Sequence, residues 1–339
     1  MRRGLAEGAG GPMLCPEYCM HSHTETSFNA ADPLQARASN TDAADSPQRT
    51  TPLTIRSLAK MMRSGQRIAC LTCYDATTAR WLERAGMELL LVGDTAGEMV
   101  LGFPSTVHTP LDFLITLTAG VKRGAPSTLV MADMPFLSYQ ADDAEGVRNA
   151  GRFMTEGMAD LVKVEADRSF APLVARMSRA GIPVVAHIGS RPQLSKQQGG
   201  YSAAGKSCAD ALALLDDARA LVDAGAQLLL VEATPAEVAE QLVRESPVPV
   251  IGCGAGPACH GQVIVLQDLL GLTAWQPAFA LPAIDFGPQL LAAARGWMHR
   301  VRANDLGPHP YTMSDAQRIA FAAAAEARTT RPAGSGGTT

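Results

Sequence analysis

The sequence has little charge of one sign and few long apolar runs, and each shortage argues against a class of protein. Lysine and arginine number 29 against 33 aspartates and glutamates, so the formal net charge is −4. A protein that binds nucleic acid usually presents a basic stripe, so we expect no nucleic-acid partner. The apolar runs Leu228–Val231 and Val263–Leu266 are far shorter than the roughly 20 residues of a membrane helix.

Signals for secretion and for a disulfide framework are also lacking. Residues 1–3 carry positive charge, but glycine, alanine and glutamate follow where a secretory signal has its apolar core. The seven cysteines are odd in number and scattered, a pattern typical of reduced thiols. We therefore expect a cytoplasmic protein with no membrane partner.

Composition divides the chain into three predicted parts. Residues 1–50 are polar and aperiodic, so we predict a disordered N-terminal leader there. The leader contains four clustered potential ligands, Cys15, Cys19, His21 and His23. Their spacing lacks the paired arrangement of common zinc modules, so we interpret the cluster as accidental. We predict a catalytic domain over 51–305 and a C-terminal helix with a frayed tail over 306–339.

Apolar runs of strand length alternate with helical patterns in the central part of the chain. The predicted strands are 68–71, 89–92, 129–131, 161–164, 184–186, 228–231 and 248–251, with an eighth near 262–266. The predicted helices are 76–85, 111–124, 144–157, 170–180, 209–224 and 235–243. Near-continuous apolar strands between helices indicate a parallel sheet. The number of units favours a closed (β/α)8 TIM barrel over an open doubly wound sheet.

Polar side chains lie on or just after the ends of these predicted strands. They are Asp94, Thr95, Asp133, Lys163, Glu165, His187 and Glu232. Barrel enzymes place their chemistry at the carboxyl ends of the strands, so these groups are expected to meet at one mouth. Oxygen ligands of this kind suit a hard cation such as Mg²⁺. Taken singly, each has a structural alternative: an aspartate can be a helix N-cap, and a lysine or histidine can be a core residue.

A set of short motifs occurs in order between Leu53 and Val301. The motifs are Thr72-Cys73-Tyr74-Asp75, Leu91-Val92-Gly93-Asp94-Thr95, Ala132-Asp133-Met134-Pro135-Phe136, Val162-Lys163-Val164-Glu165, His187-Ile188-Gly189, Gly199-Gly200-Tyr201, Leu230-Val231-Glu232 and Ile251-Gly252-Cys253-Gly254-Ala255-Gly256. This ordered set resembles the ketopantoate hydroxymethyltransferase (3-methyl-2-oxobutanoate hydroxymethyltransferase) family of the phosphoenolpyruvate/pyruvate barrel superfamily. Single motifs are unspecific, whereas their order is highly specific.

The resemblance implies an enzyme that transfers a hydroxymethyl group from 5,10-methylenetetrahydrofolate to 3-methyl-2-oxobutanoate through a Mg²⁺-stabilised enolate. The product would be 2-dehydropantoate, for pantothenate and coenzyme A biosynthesis. The implied metal ligands are Asp94, Asp133 and Glu165. The implied contacts of the oxo acid are Asp94, Thr95, Asp133, Lys163 and His187. Glu232 would be the catalytic base, and the family also implies a homo-oligomer.

The chain departs from the usual family pattern at a few positions. Thr95 stands for serine, Ala166 and Asp167 stand for two glycines, His260 stands for aspartate, and Ala278 stands for lysine. These changes keep the core chemistry but leave the identity of the oxo acid and the affinity for folate open.

Two other functions remain open from the sequence. A Mg²⁺-dependent lyase or aldolase of the same superfamily, acting on another 2-oxo acid, needs the same enolate stabilisation. A requirement for folate would distinguish the transferase from such a lyase. A degenerate paralogue that serves as a scaffold is the third possibility, and the retained metal and base positions argue against it.

Overall fold

A computed structural model describes residues 51–329, and within this range eight parallel strands close into one barrel in sequence order. The strands are β1 (Ile68–Thr72), β2 (Leu89–Val92), β3 (Leu129–Asp133), β4 (Leu161–Glu165), β5 (Val184–Gly189), β6 (Leu228–Glu232), β7 (Val250–Cys253) and β8 (Gly261–Ile264). The predicted (β/α)8 barrel is confirmed. The predicted leader with its Cys/His cluster, and the end of the predicted tail, lie outside the described residues.

Helices connect and flank these strands. In the described range they are α1 (Ile55–Ser64), α2 (Ala76–Arg84), α3 (Ala96–Met99), α4 (Leu111–Gly124), α5 (Asp143–Thr155), α6 (Ala171–Arg179), α7 (Ser195–Gln198), α8 (Cys208–Asp223), α9 (Ala236–Glu245), α10 (Leu266–Leu269), α11 (Phe286–Arg302) and α12 (Asp315–Thr329). The predicted helices correspond to α2, α4, α5, α6, α8 and α9 with ends displaced by at most two residues. No helix within residues 51–329 has the length and apolar content needed to cross a bilayer.

Strand β7 begins two residues later than predicted, at Val250. Pro249 has no backbone N–H to donate to a neighbouring strand, so the apolar run at 248–249 precedes the ladder. The Pro249 carbonyl still accepts a hydrogen bond from the Leu229 N–H at 3.0 Å. The proline therefore sets the start of this strand.

Polar side chains at the helix starts fix where several helices begin. Asp75 accepts hydrogen bonds from the backbone N–H groups of Thr77 and Thr78, both at 2.8 Å, at the start of α2. Ser207 caps α8 in the same way. Such caps satisfy backbone donors that have no partner inside the helix, so Asp75 has a structural role in its motif.

The barrel has two buried apolar layers because strand residues alternate between its two faces. In β2, Leu90 and Val92 face the surrounding helices, whereas Leu89 and Leu91 face the interior. Leu58 of α1 joins the interior layer. Because α1 leads into β1, it closes the amino-terminal end of the barrel and leaves the carboxyl ends of the strands as the open mouth.

Helices α11 and α12 differ from the barrel helices because none of their residues is buried. Exposed apolar side chains of α11 fall on one helical face: Leu290, Leu291, Trp297, Met298 and Val301. On the barrel, the paired residues Ala69 of β1 and Gln262 of β8 are also exposed. An apolar helix and an uncovered strand face thus occur in the same chain.

Candidate active site

A cavity of about 520 Å³ opens at the carboxyl ends of the strands. Its walls include every predicted site residue: Asp94, Thr95, Asp133, Lys163, Glu165, His187 and Glu232. Residues from five strands or the loops that follow them therefore meet at one mouth.

Strand register explains this convergence. Asp133 pairs with Lys163 across β3 and β4, and Glu165 pairs with His187 across β4 and β5. In β4, Lys163 and Glu165 continue the inward-facing series that Leu161 begins.

Gly189 allows β5 to lie close to β6 at Glu232, the residue with which it pairs. Its φ is 94°, and a Cβ at this position would collide with the backbone oxygen of Glu232. Only glycine fits such a close approach at positive φ. This accounts for the glycine of the His187-Ile188-Gly189 motif.

A buried ion pair lies at the centre of the cavity. Lys163 Nζ lies 2.6 Å from Asp133 Oδ2, and the two side chains are 5% and 2% exposed. The backbone N–H of Asp94 donates to the same Asp133 oxygen at 3.2 Å. Burial opposes the charged form of Lys163, but Asp133, Asp94 and Glu165 together hold its pKa above the usual value. The lysine is therefore a fixed positive charge among acids.

Two carboxylate oxygens of the site are buried without any hydrogen-bond partner. They are Asp133 Oδ1 and Glu165 Oε1. Burial, reinforced by the charge of Asp94, raises the pKa of Asp133 to about 7 despite Lys163, and raises that of Glu165 well above its usual value. A buried acceptor without a partner is costly unless a ligand satisfies it. Such oxygens therefore suit a bound cation.

The donor set fits Mg²⁺ rather than a metal held by protein alone. Among residues 51–329, no three His, Cys, Asp or Glu side chains are grouped closely enough to hold a metal ion. Magnesium is usually bound by one or two carboxylates, with waters and substrate oxygens completing the octahedron. The unpartnered oxygens of Asp133 and Glu165 meet this requirement, and Asp94 lines the same cavity.

The structural alternative for Asp94 does not hold. Helix α3 begins after Thr95 and has no side-chain capping hydrogen bond, so Asp94 is not its N-cap. The Thr95 hydroxyl instead lies 2.6 Å from the Tyr74 hydroxyl at the cavity wall. Thr95 therefore keeps the hydroxyl of the serine that it replaces.

His187 links the ion pair to Glu232. Its Nδ1 lies 3.3 Å from Lys163 Nζ, and its Nε2 lies 3.4 Å from Glu232 Oε2 without a hydrogen bond. Burial and the Lys163 charge lower the pKa of His187, so its imidazole is neutral at pH 7. Glu232 differs from the other acids because its side chain is 22% exposed.

Two further residues, Gln193 and Tyr139, contact these acids although no sequence motif marks them. Gln193 is buried in a turn after β5 and donates to Asp94 Oδ2 at 2.9 Å. The Tyr139 hydroxyl accepts from the Glu165 N–H at 2.9 Å. Neither residue directly follows a strand, and both carry neutral polar groups, so no motif or charge pattern marks them.

Several departures from the family pattern lie away from the chemistry. Asp167 forms an ion pair with Arg191 at 2.7 Å and caps the turn that begins at Arg168. His260 Nδ1 accepts from the Val250 N–H at 3.1 Å, at the start of β7. Neither they nor Ala166 and Ala278 line the cavity in the described range.

Known families and proteins match most of the chain in sequence. The family model described as ketopantoate hydroxymethyltransferase matches residues 52–308. The 3-methyl-2-oxobutanoate hydroxymethyltransferase of Alkalilimnicola ehrlichii is 44% identical over 260 residues, which cover 76% of this chain and 94% of that protein. The enzyme of the same name from Mycolicibacterium paratuberculosis is 43% identical over 254 residues, covering 75% and 89%.

Solved structures share the fold at low sequence identity. Phosphoenolpyruvate phosphomutase from Streptomyces platensis subsp. rosaceus has a TM-score of 0.52 and 14% identity, covering 82% of this chain and all of that one. Phosphonopyruvate hydrolase, solved with oxalate and Mg²⁺, has a TM-score of 0.51 and 12% identity, covering 82% and 98%. At these identities the likeness concerns the barrel alone.

Proposed function

The chain belongs to the ketopantoate hydroxymethyltransferase family, and we propose that it transfers a hydroxymethyl group from 5,10-methylenetetrahydrofolate to 3-methyl-2-oxobutanoate. The product is 2-dehydropantoate, an intermediate of pantothenate biosynthesis. The observation that carries the proposal is the cavity itself. It gathers the Asp133–Lys163 pair, unpartnered carboxylate oxygens and a partly exposed glutamate.

The proposed metal is Mg²⁺, which Asp94, Asp133 and Glu165 would hold, one or two of them directly and the rest through bound water. Support comes from the buried oxygens Asp133 Oδ1 and Glu165 Oε1, which have no hydrogen-bond partner. When bound, Mg²⁺ supplies a Lewis acid beside the oxygens of the oxo acid. The surplus of carboxylates over Lys163 favours a divalent cation at this position.

Lys163 stabilises negative charge that develops on the substrate. Its ammonium group is fixed by Asp133 and is buried, so it acts at low dielectric without reorganising during the reaction. Thr95 offers a hydroxyl, and the neutral His187 lies against the lysine. Together these three residues bind and orient the carboxylate and the 2-oxo group, and Asp94 and Asp133 would act on the same oxygens through the metal.

Glu232 removes the proton from C3 of the oxo acid. Its carboxylate ends β6 at the cavity wall and is partly exposed, so it can reach substrate. The electron pair of the broken C3–H bond then forms the new bond to the methylene carbon of the folate. The two bonds from that carbon to the folate nitrogens break, water supplies the hydroxyl oxygen, and the protons released from C3 and from water end on the two nitrogens of the released tetrahydrofolate. His187 Nε2 lies 3.4 Å from Glu232 Oε2, so a neutral imidazole lies beside the proposed base.

The outer part of the cavity supports the folate as co-substrate. Phe103, Trp275 and Phe279 line the cavity with exposed aromatic side chains, whereas the three acids proposed to hold the metal are buried. Flat heteroaromatic rings such as a pterin stack on aromatic side chains of this kind. The polar interior and the apolar rim therefore suit two different substrates.

Product analysis tests the proposal. Purified protein is incubated with Mg²⁺, 5,10-methylenetetrahydrofolate and 3-methyl-2-oxobutanoate, and the expected result is 2-dehydropantoate only when all three are present. No product with this acceptor would overturn the proposal. Folate-independent cleavage of a 2-oxo acid would instead indicate a lyase of the same superfamily.

The protein is further proposed to form a homo-oligomer in which α11 packs on the barrel of a second copy. The support is the exposed apolar face of α11 together with the uncovered β1–β8 face around Ala69 and Gln262. Light scattering after size-exclusion chromatography is expected to give a multiple of 35.6 kDa. Trp297→Asp should shift this mass to the monomer, and Leu212→Asp on α8 serves as the exposed control. A monomeric wild type would contradict the assembly.

A further inference from the structure

One buried glutamine connects two of the proposed metal ligands. Gln193 is 3% exposed, in the turn Pro192–Leu194 that follows β5. Its side-chain Nε2 donates to Asp94 Oδ2 at 2.9 Å, and its backbone N–H donates to Glu165 Oε2 at 3.1 Å. A single residue thus holds one oxygen of a carboxylate that follows β2 and one oxygen of a carboxylate on β4.

The orientation of the Gln193 amide is fixed from both ends. Its Oε1 accepts from Gln140 Nε2 at 2.7 Å and lies 3.1 Å from the Tyr139 hydroxyl. Its second N–H donates to the Met134 carbonyl at 2.9 Å. A flipped amide would set N–H₂ against N–H₂ at Gln140 and a carbonyl against the Asp94 carboxylate. The surrounding groups therefore select the orientation that donates to Asp94.

Position 193 requires a hydrogen-bond donor without charge, because it lies among carboxylates that are proposed to hold a cation. Burial and the nearby charges of Asp94 and Asp133 disfavour the charged form of Glu165, and burial and the charge of Asp94 do the same for Asp133. A lysine or arginine at 193 would supply donors but would also compete with a bound cation. The glutamine instead gives hydrogen bonds to two carboxylates without adding charge to the site.

The hydrogen bonds also sort the carboxylate oxygens. Glu165 Oε2 is occupied by the Gln193 N–H, whereas Glu165 Oε1 has no partner. Likewise, Asp94 Oδ2 is occupied, which leaves its other oxygen for a ligand. We propose that Gln193 is a positioning residue that turns the remaining oxygens of Asp94 and Glu165 toward the divalent cation. This inference rests on the metal site of the proposed function.

The first test measures metal binding without turnover. Gln193→Met keeps the length of the side chain and removes both of its donors, while the backbone N–H to Glu165 remains. Loss of a residue that orients metal ligands typically costs about 10–100-fold in metal affinity, and we expect this loss in Mn²⁺ titrations followed by the EPR signal of free Mn²⁺. The matched control is Gln227→Met, the same substitution just before the amino-terminal end of β6 and away from both carboxylates, and it should stay within about 3-fold of wild type.

The second test uses rescue by the metal. The Mg²⁺ concentration for half-maximal rate should rise about 10–100-fold in Gln193→Met, while the rate at saturating Mg²⁺ returns to within a few-fold of wild type. A residue that only supports the fold would lower the rate at every Mg²⁺ concentration. Gln193→Asn keeps a buried amide but is one methylene too short to reach Asp94, so it carries the same test if the methionine variant does not fold.

The outcomes separate this inference from the proposed function. Mn²⁺ affinity equal to wild type in the Gln193 variants, or no Mn²⁺ binding by the wild type, would overturn the positioning role. Weakened Mn²⁺ binding supports it even if the product assay finds no 2-dehydropantoate, a result that would count against the proposed reaction alone.

Discussion

The two ends of the barrel interior are built from opposite chemistry, and strand β4 passes through both. Its inward-facing residues change from Leu161 to Lys163 to Glu165 within five positions. At the amino-terminal end, Leu58 and Leu129 lie in a buried apolar cluster. At the mouth, buried carboxylate oxygens have no partner. One end of the barrel therefore stabilises the fold, while the other holds buried oxygens that only a ligand satisfies.

The largest effect is expected at the central ion pair. Asp133→Ala should abolish product formation, because it removes a proposed metal ligand and releases Lys163. It should also lower the free energy of unfolding by about 3–5 kcal/mol, since breaking a buried pair leaves an uncompensated charge. Product assays and urea denaturation measure the two effects.

The double variant Asp133→Ala/Lys163→Met sharpens this prediction. Removing both charges should restore much of the lost stability without restoring activity. Near-normal turnover in the single variant, or a stability loss that the second substitution does not relieve, would break the assignment.

The next largest effect is expected at Glu232. Glu232→Gln removes the proton acceptor and keeps the size, so the rate of product formation should fall about 10²–10⁴-fold. Because the side chain is partly exposed, the free energy of unfolding should change by no more than about 0.5 kcal/mol. Glu237→Gln on the exposed face of α9 is the matched control and should keep the wild-type rate.

Substitution at the closed, amino-terminal end of the barrel should have the opposite effect: a large loss of stability with little change in rate. Leu58→Ala removes a fully buried side chain from the interior cluster and should cost about 2–5 kcal/mol in urea denaturation. The rate per folded molecule should remain near that of wild type. Leu212→Ala, at an exposed position of α8, controls for the change of residue. A large loss of rate in Leu58→Ala at constant folded fraction would show that the two ends are coupled.

The smallest effect is expected at the N-cap of α2. Asp75→Ala should cost about 1 kcal/mol and leave the rate unchanged. Burial alone would raise the pKa of Asp75, but hydrogen bonds from the Thr78 hydroxyl and from backbone N–H groups lower it overall. The stabilisation is therefore present above about pH 4 and is lost as the pH falls through the lowered pKa. Urea denaturation of the wild type and of Asp75→Ala should give free energies of unfolding whose difference is smaller at pH 3 than at pH 7. A difference that is the same at both pH values would contradict the capping role.

The strands and most barrel helices could be predicted because each depends on a local pattern. Apolar runs of strand length mark β1 to β8, and the residues after them meet because the barrel brings all carboxyl ends together. Helix α11 was not predicted, since Gly287, Pro288 and Gly296 lower its helix propensity. Gln193 was not predicted because its role depends on Asp94, 99 residues away in sequence. Hydrogen bonds between such distant neutral groups leave no local signal.

Exchange of the C3 proton of 3-methyl-2-oxobutanoate in D₂O measures proton removal by Glu232 at the mouth of the barrel, because this exchange requires no folate. We expect Mg²⁺-dependent exchange by the wild type and by Leu58→Ala, and a rate about 10²–10⁴-fold lower in Glu232→Gln. Exchange at the wild-type rate in Glu232→Gln would contradict the role of Glu232 as the base and would point to His187 as the group that takes the proton.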